Sequence, residues 1–211
     1  MNPKKEAYKK MAATIISNLE KRNMEGYYCE DSSSVVQTAI GLMEEGTTVS
    51  WGGSETLKEC GMLEALQNLD FELIDRNTAK TEEEKSAIYQ RTVGADYFFM
   101  SSNAITIDGE LVNIDGNGNR VACLIHGPKH VILIVGMNKV VSDVANGMTR
   151  IRNMATPANA ARLGTKTPCQ KTGCCGNCLS PDCMCCEVVI TRKSRHEGRI
   201  KVILVGEELG Y

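Results

Sequence analysis

Apolar residues recur along this chain at two spacings, and the alternation of the two predicts its architecture. Near the start, apolar residues fall at helical spacing with charges on the opposite side, which predicts an amphipathic first helix; they are Tyr8, Ala12, Ile15, Ile16 and Leu19. Short β-branched or apolar runs typical of strands follow: TTVSW at 47–51, FELID, ADYFFMSS and KHVILIVG. Helical patterns separate these runs. Such alternation favours an α/β fold with a mostly parallel sheet flanked by helices.

The helical patterns carry their own start and stop signals. SSSVVQTAIGLMEEG is closed by Gly46, SETLKECGMLEAL has Ser54 as its cap, and TEEEKSAIYQRTV is opened by Thr81. NKVVSDVANGMTRIRNMA predicts a further helix, which Pro157 ends or kinks.

The alternation of strand and helix patterns stops in the middle of the chain. AITIDGELVNIDGNGNRVACLIHG contains Asp108-Gly109 and Asp115-Gly116, each flanked by alternating residues, which predicts two hairpins. The last apolar runs, CEVVITRK and RIKVILVG, are predicted to pair around SRHEG. The predicted organisation is an α/β domain at 1–165, a cysteine-rich metal-binding segment at 166–187, and C-terminal strands at 188–211 that complete the main domain.

Composition narrows the class of protein. A chain of 211 residues with 42% hydrophobic residues can bury a core without disulfides. A net charge of −2 and a pI near 6.0 do not indicate the excess of basic residues that is typical of nucleic-acid-binding proteins. The longest aliphatic run, VILIV, is far shorter than the ~20 residues of a membrane-spanning helix. We therefore expect a soluble, cytoplasmic protein without nucleic-acid or membrane partners.

Seven of the ten cysteines stand in TPCQKTGCCGNCLSPDCMCC, between Cys169 and Cys186. Thiolates repel one another, so their clustering indicates a soft cation such as zinc or an iron–sulfur cluster. Two ligand spacings compete. One pairs two Cys-x2-Cys units, at 175–178 and 183–186; the other is Cys-x5-Cys-x2-Cys-x6-Cys, beginning at 169. The alternative is a set of free thiols in a reducing cytosol.

WGGSET, at 51–56, places a Gly-Gly pair between a strand and a helix. Free N–H groups at a helix start, beyond the carboxyl end of a strand, suit a phosphate or a carboxylate. A plain turn, with Ser54 capping the helix, is the alternative. IDGNGNR is not a calcium loop, because Arg120 and His126 stand where such a loop has Gly at its sixth position and Glu at its twelfth. It is either a surface turn or a polar edge of the same pocket.

Three stretches together, VSWGGSETLKE, ADYFFMSSNAITIDGELVNIDGNGNRVA and RIKVILVGEELGY, resemble the LUD-domain family, the lactate-utilisation proteins of bacteria. The resemblance runs from about residue 10 to the end. It implies a fold similar to ribose-phosphate isomerase, glucosamine-6-phosphate deaminase and CoA transferases, with a site at the strand ends.

The resemblance also implies site residues. Those expected to bind an anionic ligand are Gly52, Gly53, Ser54, Thr56, Ser102, Asn103, Asn117, Gly118, Asn119 and Arg120. The cysteine tail looks like that of a LUD subgroup, which implies the metal ligands Cys169, Cys175, Cys178 and Cys185. Three further cysteines depart from the subgroup pattern and leave alternates: Cys174, Cys183 and Cys186.

Three functions remain open. The first is a component of L-lactate oxidation to pyruvate, which either carries electrons through a 4Fe-4S cluster to redox partner subunits or serves as a non-catalytic subunit. The second is an isomerase- or transferase-type enzyme with a structural zinc, whose candidate acid–base groups are Glu55, Asp108 and Glu110. The third is a module whose cysteines sense metal or redox state. The oligomeric state stays open, a homo-oligomer included.

Overall fold

The computed structural model describes residues 2–211, so only Met1 of the predicted first helix and domain lies outside it. The strands in these residues are β1 (Glu25–Cys29), β2 (Thr48–Trp51), β3 (Glu72–Ile74), β4 (Tyr97–Met100), β5 (Ala104–Thr106), β6 (Leu111–Asp115), β7 (His130–Gly136), β8 (Val140–Val141), β9 (Glu187–Thr191) and β10 (Ile200–Val205). The α-helices are α1 (Pro3–Glu20), α2 (Val35–Ile40), α3 (Glu55–Glu59), α4 (Met62–Gln67), α5 (Glu82–Val93), α6 (Asn119–Ile125), α7 (Val144–Arg150), α8 (Thr156–Leu163) and α9 (Pro168–Thr172).

Two sheets organise these elements. The larger has six strands in the order β1-β10-β7-β4-β2-β3, and every neighbouring pair is parallel. The smaller has the order β8-β5-β6-β9, with β6 antiparallel to both of its neighbours. The mostly parallel α/β fold expected from the strand and helix alternation is confirmed.

Alternate residues of β7 divide the core between the two faces of the large sheet. Val131, Leu133 and Val135 pack on the side covered by α1, α6 and the smaller sheet. Ile132 and Ile134 pack on the side covered by α2, α3 and α4. All five side chains are fully buried, which explains why KHVILIVG reads as an unbroken apolar run rather than an alternating one.

The first helix is confirmed, with Ala12, Ile15 and Leu19 fully buried along one side of α1. Two other expectations were wrong in their boundaries. The helix predicted to end at Gly46 stops at Ile40, and the one predicted after Ser54 is two short helices separated at Gly61. Gly61 has φ +72°, a left-handed conformation that interrupts a helix.

Strand β1 was not predicted from the sequence. Its residues before Cys29 are only partly buried.

The Asp108-Gly109 hairpin is present between β5 and β6, but the second predicted hairpin is wrong. After β6 the chain turns into α6 instead. The Asp115 carboxylate accepts hydrogen bonds from the backbone N–H groups of Asn117, Gly118 and Val121, at 3.1–3.2 Å. These bonds satisfy donors at the helix start that have no partner within the helix. IDGNGNR is therefore a strand-to-helix turn.

The predicted pairing of the last two strands is also wrong. Strand β9 pairs with β6 in the smaller sheet, whereas β10 lies between β1 and β7 in the larger one. The side chains of Val188 and Ile190 are about half exposed, while every residue of β10 is buried. A strand buried on both faces belongs inside a covered sheet, so the two runs cannot share one hairpin.

Helix α7 continues through a π-helical stretch, Ile151–Ala155, into α8, so Pro157 does not end the helix. Pro157 is the second residue of α8, which directly follows the π-helical stretch. Before α7, the residues predicted as its start form a 3-10 turn and the short strand β8.

The cysteine-rich segment packs against the main domain. The Cys186 N–H donates to the Asp115 carbonyl at 3.1 Å, and Cys185 packs against the small apolar cluster that contains Val112 and Ile114. A Cβ added to Gly116 would lie 3.3 Å from the Met184 backbone, so the two stretches are in close contact. In residues 2–211, no helix is both long enough and apolar enough to cross a bilayer.

Candidate functional site

A polar cavity of about 480 Å³ opens where the parallel strands β2, β4 and β7 end. Its floor is formed by the segments that follow these strands: 53–56, 101–103 and Lys139. One wall comes from the turn between β6 and α6, and the opposite rim comes from α8 and the C-terminal residues. The cysteine-rich segment contributes the remaining wall, at 181–184. This is the carboxyl edge of the sheet, where ligands of α/β proteins bind.

Two arginines explain the Gly-Gly pair. A Cβ on Gly52 would lie 3.3 Å from the Cγ and Cδ atoms of Arg120. A Cβ on Gly53 would lie 2.5 Å from Nη2 of Arg76. The pair therefore leaves room for one arginine beside each glycine, and both arginines line the cavity.

Arg120 is held by a complete set of acceptors. Its two Nη atoms donate to the Ser101 and Ile114 carbonyls and to the side-chain oxygens of Asn103 and Asn113, at 2.7–3.3 Å. Its Nε lies 3.5 Å from the Asp115 carboxylate. Because both of its Nη atoms are engaged, Arg120 positions the β4 and β6 loops and contributes charge to the cavity.

Lys139, which the sequence analysis did not single out, lies at the cavity floor and is 3% exposed. Its Nζ donates to Thr56 Oγ1 at 2.7 Å and to Ser101 Oγ at 3.0 Å. Burial, reinforced by the positive charges of Arg150 and Arg120, lowers the pKa of Lys139 to about 7. The signal that could have identified it is its place three residues after a fully buried parallel strand.

The helix start at Ser54 has a smaller role than expected. Ser54 caps α3 by accepting a hydrogen bond from the Leu57 N–H at 3.3 Å, as predicted. Helix α3 has only five residues, so few peptide dipoles are aligned behind its first turn. The positive character of the cavity therefore comes mainly from side chains.

The three candidate acid–base groups are not together. Glu55 lines the cavity, where its carboxylate lies 3.6 Å from Arg162 and 3.5 Å from Lys58. Asp108 and Glu110 lie at the β5–β6 turn, outside this cavity. There the Asp108 carbonyl accepts from Arg22 Nε at 2.6 Å, and the Glu110 carboxylate lies 3.6 Å from the same guanidinium. The structure brings only Glu55 to the site.

Most residues expected to bind the ligand line the cavity: Gly53, Ser54, Thr56, Ser102, Asn103, Asn117, Asn119 and Arg120. Gly52 and Gly118 stand behind it. Gly52 makes space for Arg120, and Gly118 takes φ +73° at the start of α6. Several lining residues besides Lys139 were not predicted from the sequence: Arg76, Ser101, Asn159, Arg162 and Tyr211.

At the rim, the last residue of the chain joins the site. Arg162 Nε donates to the Tyr211 hydroxyl at 2.6 Å, and that hydroxyl donates to Asn159 Oδ1 at 3.0 Å. A Cβ on Gly210 would lie 2.6 Å from Thr56 Oγ1 and 3.3 Å from Lys139 Nζ. The C-terminal residues thus pass directly over the floor of the cavity.

The cysteine-rich segment places Cys183 in the cavity wall. Two backbone N–H groups point at sulfur atoms: Asn177 to Cys175 Sγ and Cys185 to Cys183 Sγ, both at 3.4 Å. Burial and the neighbouring thiols of Cys183 and Cys175 raise the pKa of Cys185 to about 11, although its contact with Thr156 opposes this shift. Within residues 2–211, no three His, Cys, Asp or Glu side chains are gathered at metal-binding distances. The metal ligands therefore remain a prediction.

The fold and the cavity define an α/β protein with a polar, cation-bearing crevice at the carboxyl edge of a parallel sheet. The chain belongs to the LUD-domain family, whose model matches residues 12–205. The resemblance seen in the sequence is thereby confirmed.

Comparisons with solved structures add a relative of the same overall fold. A DUF162 family protein from Deinococcus radiodurans is similar over 94% of this chain and 98% of its own, with a TM-score of 0.52 and 12% identity. Ribose 5-phosphate isomerase A from Methanocaldococcus jannaschii is similar over 54% of this chain and 55% of its own, with a TM-score of 0.34 and 16% identity. Comparison with curated proteins finds no match.

Proposed function

We propose that this chain acts in lactate utilisation, the oxidation of L-lactate to pyruvate, as a subunit that binds a small anion beside a thiolate-bound metal centre. The observation that carries the proposal is the composition of the cavity wall. Four basic side chains line it, Arg76, Arg120, Lys139 and Arg162, and Cys183 faces the same space. Membership of the LUD-domain family supports the lactate context.

The charges of the cavity favour an anionic ligand. The acidic lining residues are Glu55, Asp115 and Asp182. Two of the three are already neutralised, because Glu55 faces Arg162 and Asp115 faces Arg120. Arg76 is exposed over Gly53, and no ion pair of Arg76 is found among residues 2–211. Its guanidinium is available to a carboxylate or a phosphate.

The cysteine-rich segment concentrates thiols, the donors that a soft metal centre uses. All ten cysteines are free thiols, and the N–H groups of Asn177 and Cys185 lie 3.4 Å from the sulfur atoms of Cys175 and Cys183. We propose Cys169, Cys175, Cys178 and Cys185 as ligands, with Cys174, Cys183 and Cys186 as alternates. An iron–sulfur cluster held by these thiolates would supply one-electron transfer to a redox partner subunit. Free thiols also suit a reducing, cytoplasmic location.

The test combines metal analysis with binding. Iron, zinc and acid-labile sulfide are measured on protein purified without oxygen, and titration calorimetry is run with L-lactate, pyruvate and inorganic phosphate. We expect about four irons and four sulfides per chain, and heat of binding with at least one carboxylate. C175A and C178A should lose the metal, whereas C60A, at a buried cysteine outside the segment, should retain it. Unchanged metal in both segment variants would reject the ligand set.

The size of the cavity favours a second candidate. At about 480 Å³ the cavity falls in the range of pockets that enclose molecules considerably larger than a three-carbon acid. An isomerase- or transferase-type enzyme acting on a phosphate- or CoA-type ligand, with a structural zinc, would use this space, and Glu55 would be its acid–base group. About one zinc without sulfide, together with at least tenfold tighter binding of a phosphorylated ligand than of L-lactate, would select this candidate.

A further inference from the structure

Lys139 is buried and unpaired, whereas a lysine that only attracts an anion by its charge needs neither property. Its amino group is buried at the floor of the cavity, and it forms no ion pair with any carboxylate of residues 2–211. A buried ammonium group is ordinarily paired, because an isolated charge is expensive in a medium of low polarity. The exception calls for a role of the uncharged amine.

The hydrogen bonds of Lys139 match a neutral amine. The Thr56 hydroxyl donates to the Leu209 carbonyl at 3.3 Å, and the Ser101 hydroxyl donates to the Ser102 carbonyl at 3.4 Å. Both hydroxyls are therefore acceptors towards Lys139 Nζ. An NH₂ group uses its two hydrogens on these two acceptors and keeps its lone pair, which is the electron pair a nucleophile needs.

The charges around the amino group act in the same direction. Arg120 on α6 and Arg150 on α7 are positive and oppose protonation, while Glu59 on α3 favours it. Burial is the largest influence, and together these groups lower the pKa of Lys139 to about 7. A substantial fraction of the amine is then uncharged at neutral pH, whereas an ordinary lysine is almost fully protonated.

We propose that Lys139 Nζ is a nucleophile that forms a reversible imine with a small carbonyl compound bearing a carboxylate or a phosphate. The inference rests on the proposed anion-binding function and deepens it, because the 2-oxo acid formed by oxidation of a 2-hydroxy acid is such a compound. Arg76, exposed over Gly53, is the side chain offered to the anionic group.

The step balances without a further reagent. The nitrogen lone pair forms a C–N bond to the carbonyl carbon, and the carbonyl oxygen receives one proton from the nitrogen. The C–O bond then breaks, and water leaves with the second nitrogen proton. The hydroxyls of Thr56 and Ser101 lie within hydrogen-bonding distance of Nζ and can relay these protons. Hydrolysis of the imine reverses the step.

Reductive trapping tests the proposal on the full-length chain. The protein is incubated at pH 7 with sodium cyanoborohydride and either pyruvate or dihydroxyacetone phosphate, and the intact mass and the modified peptide are determined. We expect an adduct of the mass of the probe, less water and plus two hydrogens, on Lys139. K139M should lose the adduct completely, while K85M, which removes an exposed lysine of α5, should keep its yield within twofold. The arm that reacts identifies the anionic group as carboxylate or phosphate.

Two further measurements separate the possible failures. Calorimetry with the same two probes reports whether the anion site exists: binding without an adduct overturns the imine and leaves the proposed function standing, and no binding overturns both. Trace acetylation against pH reports the amine itself. Labelling of Lys139 should follow a pKa of about 7, while Lys85 serves as the exposed reference. Titration of Lys139 together with Lys85 would overturn the proposal even if K139M failed to fold.

Discussion

At the scale of single residues, Gly52 and Gly53 are important because they have no side chain. Neither Gly52 nor Gly53 has a positive φ, so neither is required by the backbone conformation. What each provides is the space that a Cβ would fill, and an arginine side chain uses it. The two arginines differ in freedom: Arg120 is held by four hydrogen bonds from its Nη atoms, whereas Arg76 is exposed.

This difference predicts that two matched substitutions affect different properties, the stability of the fold for one and the affinity for anions for the other. G52A places a Cβ 3.3 Å from the stem of Arg120, which its hydrogen bonds hold in place, and should lower the free energy of unfolding by ~1–3 kcal/mol. G53A displaces only the free end of Arg76, so stability should change by less than ~0.5 kcal/mol, while the affinity for anions should fall several-fold. Urea unfolding and calorimetry with inorganic phosphate measure the two quantities. Equal destabilisation by both substitutions would contradict this account.

At the scale of elements, one carboxylate organises the turn between β6 and α6. The Asp115 carboxylate accepts hydrogen bonds from three backbone N–H groups at the helix start and faces Arg120. It thereby links the start of α6 to the guanidinium that holds the neighbouring loops. The Asp-Gly dipeptide here resembles a hairpin turn in sequence, but a carboxylate that caps a helix uses the same residue types.

Substitution of Asp115 should therefore affect both stability and the site. D115A removes two acceptor oxygens that accept three hydrogen bonds, and also the partner of a partly buried cation, so we expect a loss of ~2–4 kcal/mol in the free energy of unfolding. D115N keeps one side-chain oxygen as an acceptor and should lose less. Denaturant unfolding followed by circular dichroism gives both values. A loss in D115N as large as that in D115A would mean that charge, rather than capping, is what matters.

At the scale of the whole molecule, the cavity is assembled from parts that are far apart in the chain. Lys139 after β7, Thr56 of α3 and Gly210 near the C-terminus meet at the floor. Because the same contacts bury an amine that would otherwise be charged, the assembled site opposes the stability of the fold at low pH.

The pH dependence of unfolding should show this cost. The pKa of Lys139 is about 7 in the folded protein and near 10.5 when unfolded, so the unfolded state binds more protons between these values. The cost of burying the charge is complete below pH 7 and is relieved as pH rises towards 10.5. K139M should therefore be more stable than the unsubstituted protein below pH 7, and this advantage should shrink by up to ~1.4 kcal/mol per pH unit above it. A difference that stays constant from pH 6 to pH 10, measured by urea unfolding, would refute the shifted pKa.

Much of the fold follows from local patterns, and the failures have identifiable causes. Helix α1, strands β2, β3, β4 and β7, and the start of α5 after Thr81 all lie where spacing and cap residues predict them. The pairing of β9 and β10 was predicted from their nearness in sequence, but burial on both faces places β10 in the large sheet. Strand β1 went unnoticed because its pairing with β10 depends on residues more than 170 positions away.

The sequence by itself determined the α/β class, the family, the Gly-Gly loop at the strand edge and the concentration of thiols in one segment. These depend on local spacing and on residue types, which the sequence contains directly. Only the tertiary structure decided that two arginines occupy the space beside the glycines and that Asp108 and Glu110 lie outside the cavity. It also decided that Lys139 is buried without a counter-ion among the residues from Asn2 to Tyr211. Those facts depend on which distant segments pack together, and burial and charge, which set the chemistry of a side chain, exist only after that packing.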